Sequence, residues 1–491
     1  MLALGFARKA CCSAAASAAA AAASGRVRLR LLSAAAAGVG GGTANIGPTS
    51  AATAPIRPSL NFKGWRDNLE YHRANIRNRN VEANVDAAVE AYEQYVAQLQ
   101  RVEQLRHERN RLTDSIKKMK DKKGSEFQEL LRQSKQNKTI LQEVESQMPW
   151  VEEAMLIEGL AIPNETHPDV PVGSEEQATV LQTVNEAPSF CFEPRDHLAI
   201  AQPNNLINFR SGAAVTGSRF YFLHGKVALL EFALVHYAIN FMTQRGYEPV
   251  TVPDIVKTRV AESCGFQPRD DASQIYHLDQ QHSVGQAELC LAGTAEIPLA
   301  GMWMGHTFDD SELTKKYIAV GHAFRCEAGG AGATNRGLYR VHQFTKAELF
   351  VISPGDLETS CGLHDEMLQD QIDLFASLGL HFKVLDMPTE DLGAPAYRKY
   401  DIEAWMPGRQ EFGEISSTSN CTDYQSRRLN IRSRPTQAAP SSFVHTLNGT
   451  ACAVPRMIVA IMETFQREDG DFDIPAVLEP YMPHGEGRKP T

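Results

Sequence analysis

Apolar residues recur in steps of three and four at Val85, Val89, Tyr92, Val96, Leu99 and Val102, then at Leu112, Ile116 and Met119. That spacing places them on one helical face. A break at 120–124 separates them from a second run, Phe127, Leu130, Leu131, Leu141, Val144 and Met148, in a proline-free stretch with one glycine. The pattern predicts two long helices folded back antiparallel as a coiled-coil hairpin, with a weak seam around Arg106 and Ser134. From about residue 180, short β-branched runs alternate with helical stretches and Gly/Pro turns, which predicts a mixed α+β domain. Within it, 227–245 reads as an amphipathic helix ended by Gly246, and GYEPVTVPDIVK as a strand closed by Pro253. Residues 411–432 read as two strands joined by a polar turn. Residues 445–466 read as a short strand, a turn at Gly449 and a helix opened by Pro455.

A chain of 491 residues, 43% apolar, accommodates one large domain and a smaller appended module. It holds no run of about 18 strongly apolar residues, so no membrane association of the mature protein is expected. The nine cysteines form no CxxC pair, so zinc is not expected, and their scatter suits a reducing compartment. The net charge is -10, yet between Arg101 and Lys138 there are twelve Lys/Arg against six Asp/Glu, about +6 on the outer half of the hairpin. Such a rod is suited to lying along a phosphate backbone, although a charged outer face is also ordinary for a coiled coil. From Met1 to Arg66 there is no acidic residue, while Arg8, Lys9, Arg26, Arg28 and Arg30 punctuate an Ala/Ser-rich background. That is the composition of a mitochondrial transit peptide, followed from Gly38 to Pro58 by a flexible spacer.

Four segments offer chemistry. In GTAEIPL (293–299), Thr294 and Glu296 present a hydroxyl and a carboxylate suited to an ammonium group. HAFRCEAGGAGATNRGLYRVHQFTKAELF (322–350) carries Arg325 and Glu327 on a strand, a Gly/Ala-rich loop, and Val341, Phe344 and Glu348 on a returning strand. Arg325 has the planar fork for a phosphate, Glu327 an acceptor for an adenine amino group, and Phe344 a face for the base. EFGEISSTSN (411–420) supplies Glu414 and Ser417, oxygen donors of the kind Mg2+ prefers when it bridges phosphates. In NGTACAVPR (448–456), Arg456 follows Pro455 at a helix start, where amide donors and the helix dipole favour a phosphate. Taken singly, each admits a plainer reading: a short structural turn, a hairpin with a surface ion pair, a solvated strand end, a buried helix with a surface arginine.

In this order the segments resemble the seryl-tRNA synthetase family of class II aminoacyl-tRNA synthetases over nearly the whole mature chain, from the hairpin to the last helix. The strand ending at Pro253 resembles class motif 1, FRCE to HQF motif 2, and NGTACAVPR motif 3. TAE (294–296) and EISSTSNCTDYQSRR (414–428) resemble signatures of the seryl branch. The resemblance implies an α+β fold: an N-terminal antiparallel helical hairpin and a class II catalytic domain built on an antiparallel sheet flanked by helices. The division is then 1–60 leader and spacer, 61–175 tRNA-binding arm, 176–481 catalytic domain and 482–491 tail. It implies ATP contacts from Arg325, Cys326, Glu327, Val341, Phe344, Glu414, Ile415, Ser416, Ser417 and Arg456, with Mg2+ nearest Glu414 and Ser417. Serine contacts fall on Thr294, Ala295, Glu296, Glu348 and Thr450, and Arg325, Glu414 and Arg456 are the expected catalytic residues. The implied activity is ATP-dependent formation of seryl-adenylate and transfer to tRNA(Ser), with tRNA(Sec) as a further acceptor, by a homodimer in the mitochondrial matrix. The competing reading is a synthetase-like RNA-binding paralogue without catalysis, which the loss of Arg325, Glu414 or Arg456 would have signalled. An enzyme for threonine or proline is disfavoured by TAE and the basic hairpin.

Overall fold

Asn84 opens the first long helix by accepting a hydrogen bond from the Ala87 amide at 3.1 Å, which satisfies one of the free donors of the first turn. This helix, α1, spans Val85–Lys118, and α2 spans Ser125–Leu160. Between them the Asp121 carboxylate accepts from the Lys123 and Gly124 amides and closes the turn. The computed structural model describes residues 57–266, 274–279, 287–327, 336–436 and 438–482. The predicted leader up to residue 56, the centre of the Gly/Ala-rich loop (328–335) and the tail from residue 483 lie outside the described residues.

The hairpin pairs Val102 and Leu105 with Leu141, Val144 and Met148. At the weak point of the seam, Arg106 reaches across to Glu145 at 2.8 Å, so an ion pair stands where an apolar contact was wanting. The sequence pattern placed the end of the second helix near Met148, but α2 continues twelve residues further, through Pro149. Proline removes one helical hydrogen bond. Here the loss is offset because the next turns bury Met155 and Leu156 against Phe62, Trp65 and Ile76 of the short helices that precede α1.

The larger, C-terminal part is built on eight strands: β1 Thr179–Val184, β2 Glu248–Thr251, β3 Lys315–Phe324, β4 Gln343–Ser353, β5 Phe382–Asp386, β6 Arg398–Met406, β7 Glu411–Asn420 and β8 His445–Ala453. Their order across the sheet is β1-β5-β6-β7-β8-β4-β3-β2. All pairs are antiparallel except β2 with β3, which is parallel. One face is covered by α3 (Gly225–Thr243), α5 (Leu357–Ser377) and α7 (Val454–Thr464), whose Leu230, Leu234, Met367, Phe375, Met457 and Ile461 pack on Leu349, Ile402 and Leu447 of the sheet. The opposite face carries polar side chains at its centre. At one end a second core, around Val260, Ile297, Phe308 and Phe350, includes the short helix α4 (Glu296–Met302).

Two segments differ from the elements their sequence predicts. Residues 411–432 are one strand followed by a helix, α6 (Tyr424–Leu429), rather than two strands. The polar run is too short for its period to distinguish a turn from a helix, and burial of Tyr424, Gln425, Ser426, Arg428 and Leu429 decides for the helix. Gly449 is not a turn: β8 runs straight through it, paired with Thr418 on one side and Leu349 on the other. A glycine is needed because a Cβ there would lie 2.8 Å from Met367 Sδ and 3.1 Å from Thr418 Oγ1, where α5 presses on the sheet.

Candidate active site

On a regular strand Glu414 and Ser417, three residues apart, would point to opposite faces. They share a face because β7 carries a bulge: Glu403 and Ile402 of β6 oppose Glu414 and Ser416, leaving Ile415 as the extra residue. A second bulge in β8 lies between Thr450 and Cys452, opposite Glu348 and Ala347. Between the two bulges β7 and β8 stop pairing beyond Thr418–Gly449. The fully buried Gln371 of α5 fills the break, its Nε2 donating to Ser416 Oγ, the Ser417 carbonyl and the Thr450 carbonyl at 3.0, 3.1 and 2.9 Å. The Ser416 hydroxyl donates to the same Thr450 carbonyl at 2.7 Å, so it points inward as part of the scaffold.

The opening so formed is a cavity of about 150 Å3. Its wall includes Thr294, Glu296, Arg325, Glu327, Val341, Phe344, Glu348, Glu414, Ile415, Ser416, Ser417, Thr450 and Arg456, from segments up to 162 residues apart in sequence. Ala295 and Cys326 are not on this wall; Ala295 packs in the second core. Arg325 and Glu327 lie just beyond the end of β3 and Val341 just before β4, so the hairpin strands predicted to carry them are shorter than expected. A larger cavity, about 230 Å3, lies at the root of the arm among Trp65, Glu165 and Arg427, and shares none of these side chains.

One half of the cavity is cationic at its walls. Arg325 donates to the Gly293 carbonyl through Nε at 3.3 Å and lies 5.5 Å from the Phe344 ring centroid. Arg456 donates to the carboxylate and the carbonyl of Glu414 at 3.0 and 3.1 Å, and its guanidinium lies over Tyr339, a wall residue the sequence reading did not single out. Burial acts to raise the Glu414 carboxyl, but Arg456, Lys399 and Arg325 outweigh it and hold it at about 2. Its side chain is still 38% exposed, so the charge faces the opening. Glu327 adopts φ 46°, a left-handed conformation uncommon outside glycine, and its carboxylate accepts from Arg340 at 3.0 Å.

The other half is more deeply buried. Glu348 is paired with Lys346 at 2.7 Å and accepts from the Thr450 hydroxyl at 3.3 Å. Burial draws the Lys346 ammonium below its ordinary range, against the pull of Glu348. Lys346 was also missed in the sequence; its only signal was its place two residues before Glu348, on the same face of a strand. Glu296 is 6% exposed, and burial followed by the Glu348 charge pushes its carboxyl up to about 7. The Thr294 hydroxyl is buried without a hydrogen-bond partner among the described residues, which is costly unless something else occupies the cavity. Two carboxylates, two hydroxyls and one ammonium in so small a space suit a zwitterion with a hydroxyl of its own.

Two family models match the chain: the seryl-tRNA synthetase N-terminal domain over residues 60–166, and the class II tRNA synthetase core domain (G, H, P, S and T) over 276–465. The chain is 43% identical to the serine–tRNA ligase of Rubrobacter xylanophilus over 86% of its own length and 97% of that protein. It is 46% identical to the mitochondrial serine–tRNA ligase of Bos taurus over 72% of its length and 66% of the bovine chain. Its structure matches that of the seryl-tRNA synthetase of Pyrococcus horikoshii complexed with ATP with a TM-score of 0.78 and 34% identity, covering 86% of this chain and 98% of that one. The chain therefore belongs to the seryl-tRNA synthetase family of class II aminoacyl-tRNA synthetases.

Proposed function

We propose that the chain is a serine–tRNA ligase that joins serine to ATP as seryl-adenylate and passes the seryl group to tRNA(Ser), and tRNA(Sec), in the mitochondrial matrix. The observation that carries this reading is the two-part cavity: arginines and a part-exposed carboxylate on one side, and the buried Thr294–Glu296–Glu348–Thr450 cluster on the other. In it, Arg325 and Arg456 grip phosphate, Phe344 and Glu327 hold the adenine, and the pocket takes the ammonium and hydroxyl of serine. Serine's carboxylate is ionised at neutral pH, so its in-line attack on the α-phosphate needs positioning and charge neutralisation rather than a general base. A pocket that hydrogen-bonds the hydroxyl rejects alanine, because its buried polar groups would be left unpaired.

Glu414 and Ser417 offer two oxygens on one face. That is too few for an all-protein cage but fits Mg2+, which keeps phosphate oxygens and waters in its shell. Bound there, Mg2+ would neutralise phosphate charge. Homodimerisation is supported by the exposed apolar residues Val215, Phe222 and Phe232, at 73%, 44% and 60% exposure, close in sequence to the motif 1 strand. The arm, with its excess of about six positive charges, suits the tRNA. The mitochondrial relatives and the acid-free leader support the location, and no helix among the described residues is long and apolar enough to cross a membrane.

The test is serine-dependent exchange of pyrophosphate into ATP by the full chain, with alanine, threonine and glycine as competitors, followed by charging of tRNA(Ser) and tRNA(Sec). Exchange with serine alone is expected. A folded chain that binds tRNA yet exchanges with none of them would leave the non-catalytic RNA-binding reading. Location is checked by import of the full chain into isolated mitochondria, where protection from protease that depends on membrane potential is expected.

A further inference from the structure

Residues 418–428 form the second half of a signature whose first half lines the cavity, and none of them is on its wall. The segment turns from β7 into α6 and faces two ways. Outward, the Cys421 carbonyl accepts from Asn164 Nδ2 at 2.9 Å, and Arg428 Nη2 donates to the Ile162 carbonyl at 3.3 Å, fixing the helix against the root of the arm. Inward, the fully buried Gln425 donates through Nε2 to Glu296 Oε1. Asn448 Nδ2 donates to that same oxygen at 2.8 Å. The Thr446 hydroxyl donates to Gln425 Oε1 at 2.7 Å, which fixes which end of the amide faces the carboxylate.

One carboxylate oxygen thus receives two N–H donors, while no described side chain reaches the other. We propose that Gln425 is a positioning residue, which anchors Glu296 through Oε1 so that Oε2 is presented, in a fixed plane, to the ammonium group of the substrate beside the Thr294 hydroxyl, which no described residue partners. The assignment rests on the serine reading of the pocket given above. The anchor also affects charge. Burial and Glu348 raise the Glu296 carboxyl to about 7, and the Gln425 amide opposes them. Without that donor, more of Glu296 is protonated at neutral pH and unable to hold an ammonium group.

The test compares the full wild-type chain with Gln425→Met, which keeps length and volume and removes the amide, in the pyrophosphate exchange reaction. The serine KM is expected to rise about tenfold, as for loss of a hydrogen bond to a charged group, with the ATP KM unchanged within about twofold. The acid limb of kcat/KM for serine is expected to move to higher pH by about half a unit to one unit. Thr446→Val, which only frees the amide, is expected to shift both in the same direction by less, and it keeps the question open to test if Gln425→Met does not fold. A wild-type serine KM and acid limb in either folded variant overturns the assignment, as does an equal loss for serine and ATP. Failure of the serine reading itself is distinguishable, because the wild-type chain would then show no exchange.

Discussion

Glu296 and Glu414 are both cavity carboxylates, yet their surroundings drive them in opposite directions. Glu414 has Arg456 at 3.0 Å and stays ionised throughout the physiological range. Glu296 is enclosed, with the Glu348 charge nearby, and titrates near 7. A carboxyl whose folded value is raised binds more protons folded than unfolded between its two values, so stability falls as pH rises from 4.5 to 7. The effect of Glu296 on the free protein is on the order of 2 to 3 kcal/mol across that interval. Thermal unfolding of the wild-type chain and of Glu296→Gln should therefore diverge as pH rises from 5 to 8, the variant losing less stability. Added serine should restore more stability to the wild type at pH 8 than at pH 6, because its ammonium partners only the ionised form. Identical pH dependence in the two proteins would show that Glu296 does not titrate in this window.

The cavity depends on how β7 and β8 part from one another at the level of elements. Two bulges and Gln371 open the sheet between them, and α5 holds the opening from beneath. Gly449 lies where α5 comes nearest. Gly449→Ala would place a methyl group 2.8 Å from Met367 Sδ and 3.0 Å from Gln371 Nε2, so these buried side chains must give way or α5 and β8 must part. Overpacking of this kind costs roughly 1 to 3 kcal/mol. A lower melting temperature and a raised serine KM together are expected, since Gln371 also holds the Thr450 carbonyl; a fully active variant of unchanged stability would show that the contact relaxes freely. That a glycine in a polar, turn-like string lies inside a strand was not legible locally. Its reason is the helix packed beneath, whose sequence is about eighty residues earlier.

Across the whole molecule, the arm joins the catalytic half through a few buried polar contacts rather than a broad apolar face. Asn164 is central. Its carbonyl accepts from Asn75 Nδ2 and Arg79 Nη1 at 2.9 and 2.8 Å, and its side chain donates to the Pro395 and Cys421 carbonyls at 2.8 and 2.9 Å. Asn164→Ala leaves one buried and one half-buried carbonyl short of a donor, at about 1 to 3 kcal/mol each at most. The arm should then be held less firmly while the cavity is intact. Serine-dependent exchange is expected within about threefold of wild type, and tRNA charging reduced about tenfold, a loss of transition-state stabilisation of roughly 1.4 kcal/mol. Equal losses in both reactions would show that the contact supports the catalytic half instead.

The sequence by itself determined the hairpin, whose helices announce themselves by a period of three to four, and the order of the segments that carry the chemistry. It also pointed to most side chains of the cavity, because Arg325, Phe344, Glu348, Glu414 and Arg456 lie in strings that together, and in order, resemble the motifs of one family. It did not determine how those strings meet. Bulges at Ile415 and Ala451 change which side chains share a face, and they arise from strand pairing between segments far apart in the chain. Helix α6 forms where five of six residues are buried, a property of its surroundings rather than its period. Gln371, Gln425 and Lys346 act at the cavity because the fold brings them to it, as polar groups stay buried only where partners are supplied from elsewhere in the structure.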